Sequence, residues 1–216
     1  MRIALDIDPA TGIAPPLVGP ERAAGHGFAG IAFADPWNLP AQDLRQSLVR
    51  ARLPLAAIAA PPPNYAGGPP GWAGRAGGGA RFASDLRRVL RLAAILRPEL
   101  IVLRPGPDID AGALAAALRA AREAAPEQAF LLPSEAGHLP LDRARDLAAT
   151  ARMKLTGRAE DLENLPEGTL AGFAKIRTMR PTDLVHRLAA MDWPGWVVVS
   201  GDAARRTGWL SPYLRA

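Results

Sequence analysis

The chain has no cysteine, which excludes disulfides, thiolate metal sites and cysteine nucleophiles, and is compatible with a reducing cytoplasm. No apolar run approaches the length of a membrane span, and the first residues, Arg2 to Asp8, read as a strand with no basic and apolar leader ahead of it. A cytoplasmic protein with no membrane role is therefore expected. No G-x-G-x-x-G opens the first helix, and Gly77-Gly78-Gly79 is not followed by a P-loop Lys-Ser/Thr, so the dinucleotide and nucleotide-phosphate signatures are missing. Aromatics make up only 6% of the residues. The net charge of +5 comes from arginines spread along helices, such as Arg87, Arg88, Arg91, Arg119 and Arg122, without the aromatic interleaving of single-strand binders. No nucleic-acid partner is expected.

What is present is the composition of an ordinary globule, 49% hydrophobic and 22% charged over 216 residues, enough for one full core. A single domain spanning 1–216 is expected. Apolar runs at 2–8, 30–34, 55–60, 100–103, 129–132, 153–156, 172–177 and 196–200 predict eight strands. Between them, helical spacing predicts helices near 17–26, 40–52, 81–97, 111–125, 141–151, 159–165 and 182–191, with a final helical segment from Ala203. The helix over 81–97 is the clearest, with Phe82, Leu86, Val89, Leu90, Ala93 and Leu96 on one face and Pro98 to stop it. Strict alternation of strand and helix implies parallel strands, because each return crossover must run the length of the layer. Eight such units predict an α/β fold of the compact (β/α)₈ TIM-barrel type, whose functional residues lie at the C-terminal ends of the strands.

The stretch Pro61 to Gly106 joins a strand end, a long Gly/Pro loop, a helix and a second strand. Its Ala66-Gly67, Gly71-Trp72-Ala73, Gly77 and the helix and strand over Arg81 to Gly106 resemble the loop AG…G-L-x-A-L-P-G-R-E, helix and M-A-G strand end of one family. Upstream, Gly27-Phe28-Ala29-Gly30-Ile31-Ala32-Phe33 resembles its G-F-D-A-V-E-F, and Gly195-Trp196 precedes the last strand in the same way. The family is the hydroxypyruvate isomerase-like branch of the xylose-isomerase-like sugar isomerases and epimerases. The resemblance implies proton transfer beside a carbonyl, assisted by Mg²⁺ or Mn²⁺ held by carboxylates and an imidazole or amide at the barrel mouth.

Carried over position by position, the family's ligands fall on Pro133, near Thr156 and Ala159, on Lys175 and on Ser200. None is a carboxylate, and the ammonium of Lys175 would stand where a cation should bind. Gly77-Gly78-Gly79 likewise replaces the Gly-Arg-Glu of the lid. No metal and no other cofactor is therefore expected. The strand ends still gather Asp6, Asp8, Asp35, Arg104, Glu135, Lys175, Arg177, Ser200 and Asp202. With Arg104, Lys175 and Arg177 as a cationic wall, this is a mixed-charge pocket for a small anionic or sugar-like molecule. A desolvated Lys175 could alternatively form a Schiff base with a ketone, with Glu135 shuttling protons. A third reading is a barrel that has lost its chemistry and serves a protein partner, with Trp37, Trp72 and Trp209 as candidate contacts. His26 and His186 fall on helical segments and read as structural; Glu135, His138 and Asp202 form an alternative cluster.

Overall fold

Short apolar runs ended by acids, glycine or proline make the strands, because each offers a few extended residues and then a turn. The computed structural model describes residues 1–7, 15–61, 71–107, 109–133, 140–158, 170–176, 186, 188–190, 193–200 and 207–214. Eight strands lie within them: β1 (Arg2–Asp6), β2 (Gly30–Phe33), β3 (Leu55–Ala60), β4 (Leu100–Leu103), β5 (Ala129–Pro133), β6 (Lys154–Arg158), β7 (Leu170–Ile176) and β8 (Trp196–Val199). Each pairs in parallel with the next in chain order, and β8 returns to β1 with Ile3 opposite Val197 and Leu5 opposite Val199. The sheet therefore curls through its strands in sequence, with all C-terminal ends on one side.

Helices α1 (Gly19–Gly25), α2 (Ala41–Ala51), α3 (Gly79–Leu96), α4 (Ala111–Ala124) and α5 (Leu141–Thr150) follow the first five strands. In α3 the residues Phe82, Leu86, Val89, Ala93 and Leu96 are buried while Arg87 and Arg91 face water, as the helical period requires. It ends at Arg97, whose left-handed backbone returns its N–H to the carbonyl of Ala93 at 2.7 Å before Pro98 forbids another turn. At the start of α4, Asp110 Oδ1 accepts the N–H of Ala113 at 2.7 Å, satisfying one of the free donors of the first turn. No helix among the described residues is long and apolar enough to cross a membrane.

Three boundaries differ from expectation. β1 ends at Asp6 rather than Asp8, and α3 begins inside the glycine run, with Gly78 as its N-cap and Gly79 as its first residue. The final segment is a 3-10 helix, Thr207–Tyr213, with Pro212 inside it; proline has no N–H for a continuing α-helical ladder. The helix expected at 159–165 lies outside the described residues, and of the one at 182–191 His186 and residues 188–190 are helical.

Period-two alternation splits the core into two layers. Outside the sheet, Ile3, Leu5, Ile31, Phe33, Ile58, Ile101, Leu103, Phe130, Leu132, Val197 and Val199 pack against the helices. The second layer, on the other face, is made mostly of small residues: Ala4, Ala32, Ala57, Leu100, Leu131, Val198 and one large ring, Trp196. Trp196 fits because residue 30 is glycine: a Cβ there would lie 2.5 Å from the indole. Its Nε1 donates to Glu99 Oε2 at 2.8 Å, and Arg2 binds both Glu99 oxygens at 3.0 and 2.9 Å while its guanidinium lies 4.1 Å over the ring. Trp196, Arg2 and Leu100 all begin their strands, so this plug closes the N-terminal end.

Candidate functional site

The opposite end is the mouth, where the parallel strands deliver their last residues. Asp6 ends β1 and Ser200 directly follows β8; both are buried, at 2% and 3% exposure. Since Leu5 pairs with Val199, the register sets Asp6 level with Ser200. The row that holds tryptophan and alanine at the bottom thus ends in a carboxyl and a hydroxyl at the top. Burial makes a charged carboxylate costly unless polar groups or a ligand answer it, so Asp6 marks this end as chemically distinct from the plug.

Arg104 leaves the end of β4, exposed, with its backbone N–H on the carbonyl of Ala60 at 2.7 Å. Its Nη2 reaches the carbonyl of Ala34, just past β2, at 3.5 Å, so the side chain spans the mouth over β3. Asp35 follows on the same β2 loop, half-buried, where its Oδ1 accepts the N–H of Trp37 at 3.2 Å and shapes the turn. Lys175 lies on β7, between Arg158 of β6 and Val198 of β8 in the backbone register. Asp6, Asp35, Arg104 and Ser200 therefore come together around one end of the sheet, and the Lys175 backbone comes up beside them. Asp8, Glu135, Arg177 and Asp202 lie outside the described residues, as does His138.

Of the positions to which the family ligands were carried, Ala159 lies outside the described residues, and the others fall on or just after β5 to β8. Pro133 pairs with Thr156, and Lys175 sits level with Val198, two residues before Ser200. Among the described residues no three of His, Asp and Glu gather closely enough to hold a metal. His26 is exposed at the C-cap of α1, and His186 is exposed with its Nδ1 against the Tyr213 hydroxyl.

One group went unnoticed in the sequence. Asp85 lies on the apolar face of α3, between Phe82 and Val89, and is 6% exposed. Burial pushes its carboxyl above the ordinary range near 3.8, partly opposed by Arg81 and Arg88. The signal was available: an acid at i+3 from Phe82 and i−4 from Val89 breaks an otherwise apolar stripe. Beside it lies a narrow crevice with little more room than a water molecule needs, lined by Ala60, Pro61, Trp72, Asp85, Leu86 and Arg104 among others.

No protein-family model matches the chain, and no curated protein matches it in sequence. Solved structures do match in shape. An AP endonuclease, family 2, from Brucella melitensis superposes with a TM-score of 0.82 at 18% identity, over 99% of each chain. D-psicose 3-epimerase gives 0.66 at 12% identity over 95% of this chain and 88% of that one. A sugar phosphate isomerase/epimerase from Parabacteroides distasonis gives 0.64 at 12% identity, over 95% and 89%. The chain shares the parallel α/β barrel fold of these structures. At these identities the likeness extends to the fold, and what the mouth does must be argued from its own residues.

Proposed function

We propose that this chain is a cytoplasmic (β/α)₈ barrel of the hydroxypyruvate isomerase-like type that binds a small anionic or sugar-like molecule at its mouth, without a divalent metal and without isomerase chemistry. One observation carries the reading. Of the positions matched to the metal ligands of such barrels, Pro133 ends β5, Thr156 pairs with it from the middle of β6, Lys175 is next to last in β7 and Ser200 directly follows β8. A proline side chain offers no donor atom, two hydroxyls are weak neutral ligands, and a lysine ammonium repels a cation. This donor set does not fit Mg²⁺ or Mn²⁺.

The same residues suit a ligand that carries its own negative charge. Arg104, Lys175 and Arg177 supply cationic donors, and Asp6, Asp8, Asp35, Glu135, Ser200 and Asp202 accept from or donate to hydroxyls. A protein of this kind holds a small metabolite instead of converting it. The test is metal analysis of the purified protein, with calorimetric titration of ribose 5-phosphate and of hydroxypyruvate, each with and without EDTA. The expected result is substoichiometric metal, binding of one of the two that EDTA leaves unchanged, and no turnover. Stoichiometric Mn²⁺ or Mg²⁺, conversion of hydroxypyruvate to tartronate semialdehyde, or no binding of either compound would overturn it.

A further inference from the structure

The rim around the Trp196 plug carries a pattern of its own. Among the described residues the non-glycine positions at positive φ are Arg52, Arg97 and Arg152, at 54, 54 and 53°. They close α2, α3 and α5. Arg52 donates its N–H to the carbonyl of Val49 at 3.1 Å, Arg97 to Ala93 at 2.7 Å and Arg152 to Ala149 at 3.0 Å, each satisfying a carbonyl that the helix leaves open. Glycine is the usual residue at such a turn, because a Cβ is crowded in left-handed backbone. The chain has 21 glycines, yet arginine stands at all three turns. Helices return against the parallel strands, so these turns lie at the N-terminal end of the barrel. There α2 packs beside α3, α3 beside α4 and α4 beside α5. With Arg122 in the last turn of α4, the arginines form an arc of one cation per helix, spaced by the roughly 8–10 Å between packed helices.

Arg52, Arg97 and Arg152 are exposed, and among the described residues none of their side chains has a hydrogen bond or ion pair. Other cations of this end are engaged, Arg2 with Glu99 and Arg50 with Glu21, each at 2.9 Å. A cation facing the last carbonyls of a helix is favourable, but the last turn of α2 already holds Arg50 and the helix still closes on arginine. The dipole can be answered from a last turn, with glycine left to make the bend. Three charges kept at sterically costly positions on one face point to something outside the chain. Glu123 and Glu127 lie exposed close to Arg122 in sequence, so acids are set into the arc. The unbroken phosphates of a nucleic acid or a lipid surface would meet them. A protein segment can set carboxylates against the arginines and neutral side chains against the glutamates. Val49, 58% exposed one turn before Arg52, offers it an apolar contact.

We propose that the arc of Arg52, Arg97, Arg122 and Arg152 is a docking surface for an extended, acidic protein segment. It lies at the end opposite the mouth and stands or falls apart from the function proposed above. An extended chain advances about 3.3 Å per residue, so a carboxylate at every third position matches the spacing of the arc. The probe is a synthetic peptide of Glu-Ser-Thr repeats, about 15 residues long, titrated at low salt into ¹⁵N-labelled full-length protein. Saturable shifts should centre on the four arginines and fade as salt is raised. The variant Arg52→Gly/Arg97→Gly/Arg152→Gly keeps the fold, because glycine suits all three turns. Its affinity for the peptide should fall about tenfold, the combined worth of three exposed ion pairs. Arg87→Gln/Arg91→Gln/Arg119→Gln removes the same charge from the outer faces of α3 and α4 and should bind as the wild type does. Shifts that do not saturate or that lie elsewhere, unchanged affinity in the glycine variant, or an equal loss in the glutamine variant would each overturn the proposal. So would equally tight binding of double-stranded DNA or of phosphatidylserine vesicles.

Discussion

The two ends of the barrel are built from the same eight strands and differ in what their inner row carries. At the N-terminal end Trp196, Arg2 and Glu99 satisfy one another: ring against guanidinium, guanidinium against carboxylate, carboxylate against indole N–H. At the C-terminal end the row finishes in buried Asp6 and Ser200, with Arg104 reaching across to the carbonyl of Ala34. A closed set of contacts stabilises, whereas the C-terminal ends of parallel strands are where barrels of this kind gather polar residues. The difference sets a mutually satisfied end against the end where the proposed ligand would bind.

Changing the plug should therefore move stability and leave binding at the mouth alone. Trp196→Ala empties the largest side chain of the inner layer and should cost about 3–5 kcal/mol in urea unfolding. If the loss were below that of an ordinary surface change, the bottom end would not be the stabilising one. Glu99→Ala strips the indole N–H and Arg2 of their common acceptor and should cost about 1–2 kcal/mol. An equal loss of ribose 5-phosphate or hydroxypyruvate affinity in that variant would erase the distinction between the ends.

Asp85, in the helix layer, sharpens the comparison through pH. Because burial raises its folded value above 3.8, the folded state holds this proton more readily than the unfolded chain. Its contribution favours folding at low pH and is lost as pH rises through the raised value. Urea melts of Asp85→Asn and wild type from pH 3 to 7 should show the difference moving toward the variant as pH rises. A difference that stays flat would mean the carboxyl is not held in an apolar setting. The smallest stability effect is expected at the mouth, where Arg104→Ala should change unfolding by no more than about 0.5 kcal/mol yet weaken binding of the small anion. A variant that unfolds readily but binds normally would reverse the roles.

Much of the scaffold was legible because its signals are local. Leu100 to Leu103 is an apolar run between Pro98 and Pro105, and Phe82, Leu86, Val89, Ala93 and Leu96 repeat at the helical period, so both elements declare themselves. The 3-10 ending was less so, since Pro212 forbids an α-helix without dictating what replaces it. At the site, Asp6, Arg104 and Ser200 could be picked out because strand ends are where a parallel barrel gathers polar residues. The Glu99 contacts could not be foreseen: Arg2 and Trp196 each lie 97 residues from it, and no local pattern joins them. Asp85 is harder to read, because a single acid beside an apolar stripe has the same pattern whether it is buried within the face or exposed at its edge.

Gly30 and Trp196 have a consequence for how such a chain can vary over time. With 2.5 Å between the ring and any Cβ at residue 30, neither position can drift alone. Alanine at 30 is admissible only with a smaller ring at 196, and a smaller ring at 196 relieves 30 of its need for glycine. The two therefore form one heritable unit, and across descendants of this barrel they should change together or not at all.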